Sequence, residues 1–484
     1  MQCGRLPLRQ SIAPTTYEIM KTKIALAFAA LALAALPAAA DTKGGIDQAM
    51  LGRLKESYKP DGAQKALRNA MNGTDIDKLA QNAGALNDFD TSFSHRVPGK
   101  GITNQKQSGR CWLFTGLNVL RSQIMASQNL PELELSQNYN FFFDQLEKCN
   151  LFLQGIIDTA DKPMDDKTVD WLFSHPLSDG GQFTGLSDNL MKYGIVPASA
   201  MVETFSSNNT SRLNRLLSLK LREYGLKLRR MKADGASAKA LASEKEKMLQ
   251  TAYRMLAMTL GEPPTQFTWT RRDKDGKAVS TRTYTPQEFY REMAGNDLRD
   301  GYVMLMNDPS RPYHKLYEID YDRHVYDGKN WTYINLPIEE IKAMAIESIK
   351  DSTMMYFSCD VGKFLDRDRG YLDVDNYSYG DLFDTDFPMD KADRIRTHAS
   401  ASSHAMTLMA VDLDEQGNPR KWMVENSWGP GANDGHLIMS DRWFDEYMFR
   451  LVVDKKYVPA ETLKILRQKP TLLPAWDPLF APDL

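Results

Sequence analysis

Asn104-Gln105-Lys106-Gln107-Ser108-Gly109-Arg110-Cys111-Trp112-Leu113-Phe114 is the stretch on which the rest of the chain turns. A polar, glycine-containing loop runs into apolar residues that read as a helix: Trp112, Leu113, Phe114, Leu117, Val119 and Leu120. Cys111 therefore stands where loop becomes helix. Unpaired backbone N–H groups and the positive end of the helix dipole favour thiolate over thiol at such a position. Arg110 adds positive charge beside it. The thiolate is the nucleophilic form, so the stretch fits an attacking cysteine. Taken alone it fits equally well a small buried apolar residue, because a cysteine nucleophile needs a histidine elsewhere in the chain.

The chain of 484 residues is too long for one compact core, so two or more subdomains are expected. Hydrophobic content of 42% and charged content of 25% are ordinary for a globular protein. A net charge of −3 gives no electrostatic case for nucleic-acid binding by the whole chain. Met20 to Lys23 is a short basic start, Ile24 to Leu36 an apolar run, and Ala38-Ala39-Ala40 a small-residue cleavage site before Asp41. This is the pattern of a secretory signal peptide, too short and alanine-rich for a membrane anchor. Residues 1–19 have no place in it, which points to Met20 as the true start. Cleavage after Ala40 leaves 444 residues, exported to the periplasm or secreted and without a membrane segment. Of Cys3, Cys111, Cys149 and Cys359, the first goes with the leader. Three cysteines remain, so the protein is no disulfide scaffold.

Scattered apolar positions in residues 41–86 read as an N-terminal arm of amphipathic helices. Ser136 is placed to cap a helix whose face is Tyr139, Phe141, Phe142 and Leu146, and Cys149 just after it reads as packing. Asp179-Gly180-Gly181-Gln182 is a turn into another helix, ended by Gly194 and Pro197. Residues 206–260 change character. Leu213, Leu217, Leu221 and Leu228 recur at helical spacing among Arg212, Arg215, Lys220, Arg222, Lys227, Arg229, Arg230 and Lys232. A solvated basic face is the favoured reading, and contact with acidic partners, nucleic acid or a second subunit the other. Beyond Gln266 strand signals rise. Residues 266–270 and 279–284 read as a hairpin, and Thr285-Pro286-Gln287-Glu288 as a helix start. Met354 to Asp360 is a short apolar strand, with Cys359 a core residue.

The partner for Cys111 lies near the end of the chain. His404 opens the apolar strand Ala405 to Val411; Asp414-Glu415-Gln416-Gly417-Asn418 is a turn; Lys421 to Asn426 returns, followed by Ser427-Trp428-Gly429. His404 is 12 residues before Gln416 and Asn426 is 10 after it, so a hairpin brings both to one open end. An asparagine oxygen that accepts from one ring nitrogen fixes the imidazole, leaving the other nitrogen to take a proton from a thiol. Trp428 is placed to shield that bond from water. His398, the competing histidine, sits in a Ser/Ala loop with no such asparagine. The seven histidines and the cysteines form no ligand-spaced cluster, so no metal or other cofactor is expected.

Gln105 to Phe114, His404-Ala405-Met406-Thr407 and Val424-Glu425-Asn426-Ser427-Trp428-Gly429 resemble the papain-like cysteine peptidases, in the branch of bleomycin hydrolase and aminopeptidase C. Glu134-Leu135-Ser136-Gln137, Asp179-Gly180-Gly181-Gln182 and Leu473-Pro474-Ala475-Trp476-Asp477-Pro478 extend the match over nearly all of the chain after the leader. Ser108 stands where ordinary members carry a disulfide cysteine. The 293 residues from Cys111 to His404 are about twice the usual interval.

The resemblance implies an α+β, papain-like two-subdomain fold. A helical subdomain (87–205) carries Cys111 and a β-rich, barrel-like subdomain (336–455) carries His404 and Asn426. A helical and hairpin insertion (206–335) and a C-terminal arm (456–484) complete it. It implies a cysteine aminopeptidase acting on peptides, with Cys111 as nucleophile, His404 as base, Asn426 as orienter and Gln105 as oxyanion donor. The Leu484 carboxylate would hold the substrate's free amine in the cleft. It also implies a homohexamer. Pro482 and Asp483 depart from the small apolar ending expected of such an arm. The alternatives are an endopeptidase or oligopeptidase of the same fold, should the arm not reach the cleft, and a non-catalytic nucleic-acid-binding or scaffold protein.

Overall fold

The computed structural model describes residues 44–85, 90–295 and 297–479. The leader at 1–40 and Leu484 lie outside them. The chain divides into two compact units, 1–79 and 80–484. In the first, helices α1 (Gln48–Ser57) and α2 (Gly62–Met71) start on Asp47 and Asp61, whose carboxylates accept backbone N–H groups of the first turn. Gln64 returns the bond to Asp61, completing a capping box.

The second unit is built on one large mixed sheet. Its strands are β1 (His95–Arg96), β4 (Tyr302–Met306), β5 (Lys315–Ile319), β6 (Thr332–Asn335), β7 (Met355–Cys359), β8 (Leu365–Asp366), β9 (Tyr371–Leu372), β10 (His404–Leu413), β11 (Pro419–Glu425), β12 (His436–Ser440), β13 (Met448–Asp454) and β14 (Thr471–Leu473). They run in the order β14-β5-β6-β4-β13-β7-β10-β11-β12-β9-β8, with β1 also on β10. A separate hairpin pairs β2 (Phe267–Arg272) with β3 (Ala278–Tyr284).

The central strands are apolar on both faces because both faces are covered. On β7, Met355 and Phe357 enter one core and Tyr356 the other. One core holds Ile341, Met344 and Ala345 of α10 (Ile338–Lys350) against Phe357, Met406 and Leu408. The other holds Trp112, Leu113, Leu117 and Leu120 of α3 (Cys111–Ser127) against Tyr356, Ala405, Phe449 and Val452. The Cys111 helix thus lies directly on the strands that carry His404. Each fully buried side chain of this size contributes about 1.5–3 kcal/mol, so the position of α3 on the sheet is strongly fixed.

Against α3 pack α4 (Gln137–Asp158) and α6 (Phe183–Tyr193), and α5 (Lys167–Ser174) lies on α4. Ser136 caps α4 by accepting from the Tyr139 N–H. The basic stretch forms α7 (Ser211–Ala233), followed by α8 (Ala238–Leu260), with Lys227 of α7 on Glu244 of α8 at 2.6 Å. Its cations are partly committed within the fold. Arg222 donates to the carbonyls of Phe173 and Ser174 at the end of α5, and Arg229 to those of Thr159 and Lys162 just beyond α4. Cations at helix C-termini satisfy carbonyls that lack an intrahelical partner. Thr285 caps α9 (Pro286–Met293) in a capping box with Glu288. Strands β4, β5 and β6 join the main sheet, β4 directly against β13. The sheet therefore crosses the division expected at 335/336: only the helices and the hairpin up to Met293 stand apart from it.

Candidate active site

Cys111 is the first residue of α3, after Arg110 at φ −85° and ψ 17° with no side-chain cap. The loop before it is latched at several points. The Gly109 N–H donates to Asp179 Oδ2 at 2.7 Å, and a Cβ on Gly109 would lie 2.7 Å from Asp179 Oδ1, so a larger residue would push the carboxylate away. Trp112 Nε1 donates to the Asp179 carbonyl at 2.9 Å. On the other side the loop is stitched to the segment after β11. The Gln105 N–H donates to the Ser427 carbonyl at 2.8 Å, the Gly429 N–H to the Thr103 carbonyl at 3.0 Å, and Asn104 and Trp428 form an antiparallel bridge. The cysteine loop and the Asn426–Gly429 segment, more than 300 residues apart in sequence, are one hydrogen-bonded unit.

His404 is the first residue of β10 and is buried. Its Nε2 lies 2.8 Å from Asn426 Oδ1, and its ring stacks on Trp428 with centroids 4.9 Å apart. This bond fixes the imidazole and leaves Nδ1 for a thiol. Burial pushes the His404 pKa down to about 4; the Asn426 hydrogen bond opposes that, and the charge of Arg367 adds to it. In register, His404 faces Cys359 of β7. The Cys359 thiol is held far above its ordinary value by burial first, then by negative charge on Asp360 and Cys111. Cys149 is fully buried, its pKa pushed up to about 12 by desolvation, which suits packing and not nucleophilic attack.

Gln105 is buried and held at both ends of its amide. Oε1 accepts from Ser427 Oγ at 2.7 Å, and Nε2 donates to the Ser108 carbonyl at 2.6 Å. Nε2 has a second proton, which is the one available to a developing oxyanion.

The chain matches the Peptidase C1-like family over residues 45–480. It belongs to that family. It is 39% identical over 419 residues to aminopeptidase C of Lactobacillus delbrueckii subsp. lactis, covering 85% of this chain and 93% of that protein. It is 40% identical over 429 residues to human bleomycin hydrolase, covering 83% and 94%. The crystal structure of PepW from Lactobacillus rhamnosis HN001 superposes with a TM-score of 0.87 at 40% identity, covering 91% of this chain and 99% of that one. The papain-like α+β fold and a cysteine-peptidase activity follow, and the resemblance read from the sequence motifs is borne out.

Within this Peptidase C1-like chain, the residue before Cys111 has a partner that its neighbours in sequence did not indicate. Arg110 shares its charge with Glu203. Its guanidinium is fully buried, makes a two-pronged pair with Glu203 at 2.9 and 3.1 Å, and lies over Phe114 and Phe141. A charge paired in this way ties the cysteine loop to the Glu203 segment.

Other residues of the site gave no signal by themselves. Arg121, on the same helix as Cys111, points at Glu425, the residue before Asn426, with 3.7 Å between Nη2 and Oε1. Burial pushes Glu425 up to about 7, against the pull of Arg121. His436, the register partner of Glu425 on β12, is depressed by burial. Arg367 lies over the Trp428 ring at 5.1 Å. Each depends on a contact between distant segments, and only the alternation of Glu425 within an apolar strand hinted at one. Leu484 lies outside the described residues. The arm is seen to Leu479, with Asp477 on Arg311 at 2.6 Å and the Leu479 carbonyl on Arg450 Nη2 at 2.5 Å.

Proposed function

We propose that the protein is an aminopeptidase in which Cys111 is the nucleophile, His404 the proton carrier, Asn426 its orienter and Gln105 an oxyanion donor. The observation that carries this reading is the 2.8 Å bond from His404 to Asn426 under Trp428, on a strand packed against the Cys111 helix. Burial disfavours a lone imidazolium, so the two charges are made together: Nδ1 takes the thiol proton as the sulfur becomes thiolate. The thiolate attacks the peptide carbonyl and forms a C–S bond. The second Nε2 proton of Gln105 and the Cys111 N–H donate to the oxyanion. The C–N bond breaks as His404 gives its proton to the leaving amine. Water then attacks the thioester, His404 takes its proton, and cleavage of C–S returns that proton to the sulfur.

Action at a free N-terminus is supported by the names of the relatives, aminopeptidases C and G among them. Selection of the amine by the Leu484 carboxylate belongs to the same reading, as does a homohexamer. Export is supported by the pattern of Met20 to Ala40. The test compares a free-amine peptide with its N-acetylated form, with C111A as control. The expected result is cleavage of the free-amine peptide alone, lost in C111A. Equal cleavage of both forms would make the enzyme an endopeptidase or oligopeptidase. Sedimentation analysis checks the hexamer, and N-terminal sequencing of extracytoplasmic protein checks export.

A further inference from the structure

The turn between β8 and β9 carries a cation to the mouth of the site. Arg367 is exposed, and its guanidinium lies 5.1 Å from the Trp428 ring, which itself stacks on His404. Among the described residues it makes no hydrogen bond or ion pair. The turn that presents it is stiff. Asp366 accepts from the backbone N–H groups of Asp368 and Arg369 and from Arg369 Nε, while Arg369 Nη2 reaches Asn376 and the Ile438 N–H reaches the Gly370 carbonyl. The neighbouring carboxylate of Asp366 is thus committed to Arg369 and Gln81, and Asp368 points to solvent without pairing Arg367. The field of Arg367 reaches His404. A cation held in place, unneutralised and seated on an aromatic face next to catalysis is arranged to meet an anion.

Which part of a substrate it meets follows from the chemistry, and here the inference rests on the reading of His404 as the proton donor to the leaving amine. The leaving half must lie against the imidazole, whose ring stacks on Trp428, and Trp428 in turn carries Arg367. Each extended residue advances about 3.3 Å, so the first or second residue after the scissile bond comes level with the guanidinium. We propose that Arg367 is a specificity-determining residue that binds a carboxylate on the leaving half of the peptide, within two residues of the cleaved bond. That carboxylate is either an acidic side chain or the C-terminus of a short peptide.

The test uses the full-length enzyme and two matched pairs. Leu-Asp-amide against Leu-Asn-amide isolates the side-chain carboxylate, and Leu-Ala against Leu-Ala-amide isolates the terminal one. In the unmodified enzyme the acidic member of at least one pair has the higher kcat/KM, and that pair identifies the source. R367Q lowers the acidic-to-neutral ratio about two- to fivefold, the range of an exposed ion pair. R367E lowers it further, R367K retains part of it, and added salt narrows it. Ratios that stay the same in R367Q and R367E, or a parallel fall of both members, overturn the proposal, since a merely structural arginine would act on both alike. An enzyme inactive on all four peptides would count against the aminopeptidase reading, and the same ratios are then read on longer N-acetylated peptides.

Discussion

Replacing Asn426 by alanine tests the centre of the mechanism. Its Oδ1 lies 2.8 Å from His404 Nε2 and accepts from the Ser427 N–H, also at 2.8 Å, and all three residues are buried. Alanine leaves an imidazole N–H without its acceptor where water does not readily replace it. Such an orphaned donor costs about 1–3 kcal/mol. Taken up in the step that uses the imidazole, this is a loss of about 5- to 150-fold in kcat, with KM little changed. A second effect has a definite sign. The Asn426 bond raises the His404 pKa against burial, so without it the pKa falls below about 4. The imidazolium–thiolate pair becomes scarcer, and the acid limb of the kcat/KM profile moves to lower pH. In N426D a carboxylate favours the imidazolium, so the acid limb moves to higher pH. The assay is kcat/KM against pH on one free-amine peptide for all three proteins, with thermal melts to confirm folding. An N426A enzyme within twofold of the unmodified rate, with an unmoved acid limb, would refute the assignment of Asn426 as orienter.

Q105A is expected to lower kcat about 100- to 1,000-fold, the usual loss for an oxyanion donor, measured by steady-state kinetics; a change confined to KM would remove Gln105 from that role. E425Q probes the buried acid behind Asn426. Glu425 is raised from its ordinary 4.5 to about 7, so the folded state holds the proton more tightly than the unfolded chain. Its contribution to stability is complete below pH 4.5 and falls away as pH rises through about 7, by roughly 3 kcal/mol. Denaturant titrations at pH 5 and pH 8 should therefore show a smaller loss of stability with rising pH in E425Q than in the unmodified protein; equal losses would count against the buried-acid account. G194A is expected to destabilise by about 2–4 kcal/mol. Gly194 has φ +77° and ψ −163°, and an added Cβ would lie 2.3 Å from the backbone of Pro286. An urea midpoint unchanged from that of the unmodified protein would contradict it.

Much of the fold was legible because its signals are local. The loop-to-helix change at Cys111, the Ser136 cap, the Thr285 helix start, the β2–β3 hairpin and the turn at Asp414 to Asn418 each follow from a few consecutive residues, and each is found. The pairing of His404 with Asn426 was legible for a subtler reason. Counting from the turn brings both to one open end, but the ladder itself stops at Thr407 opposite Glu425. The two residues meet because the chain leaves the ladder at Asn426 and is drawn toward the cysteine loop by the Asn104–Trp428 bridge and the Gln105–Ser427 bonds.

The sequence by itself determined where the three residues proposed for the chemistry sit, since a cysteine at a helix start, a histidine at a strand start and an asparagine at the end of the return strand are each written in their neighbours. Only the tertiary structure decided where the charges around that set point. Arg110, adjacent to the sulfur in sequence, is turned inward and paired with Glu203. Arg367, 256 residues from Cys111, is the cation whose field reaches His404, and Arg121 meets Glu425 across helix and sheet. The direction of a charged side chain is set by what packs against it. In this fold those partners come from segments that are neighbours only once the sheet has formed.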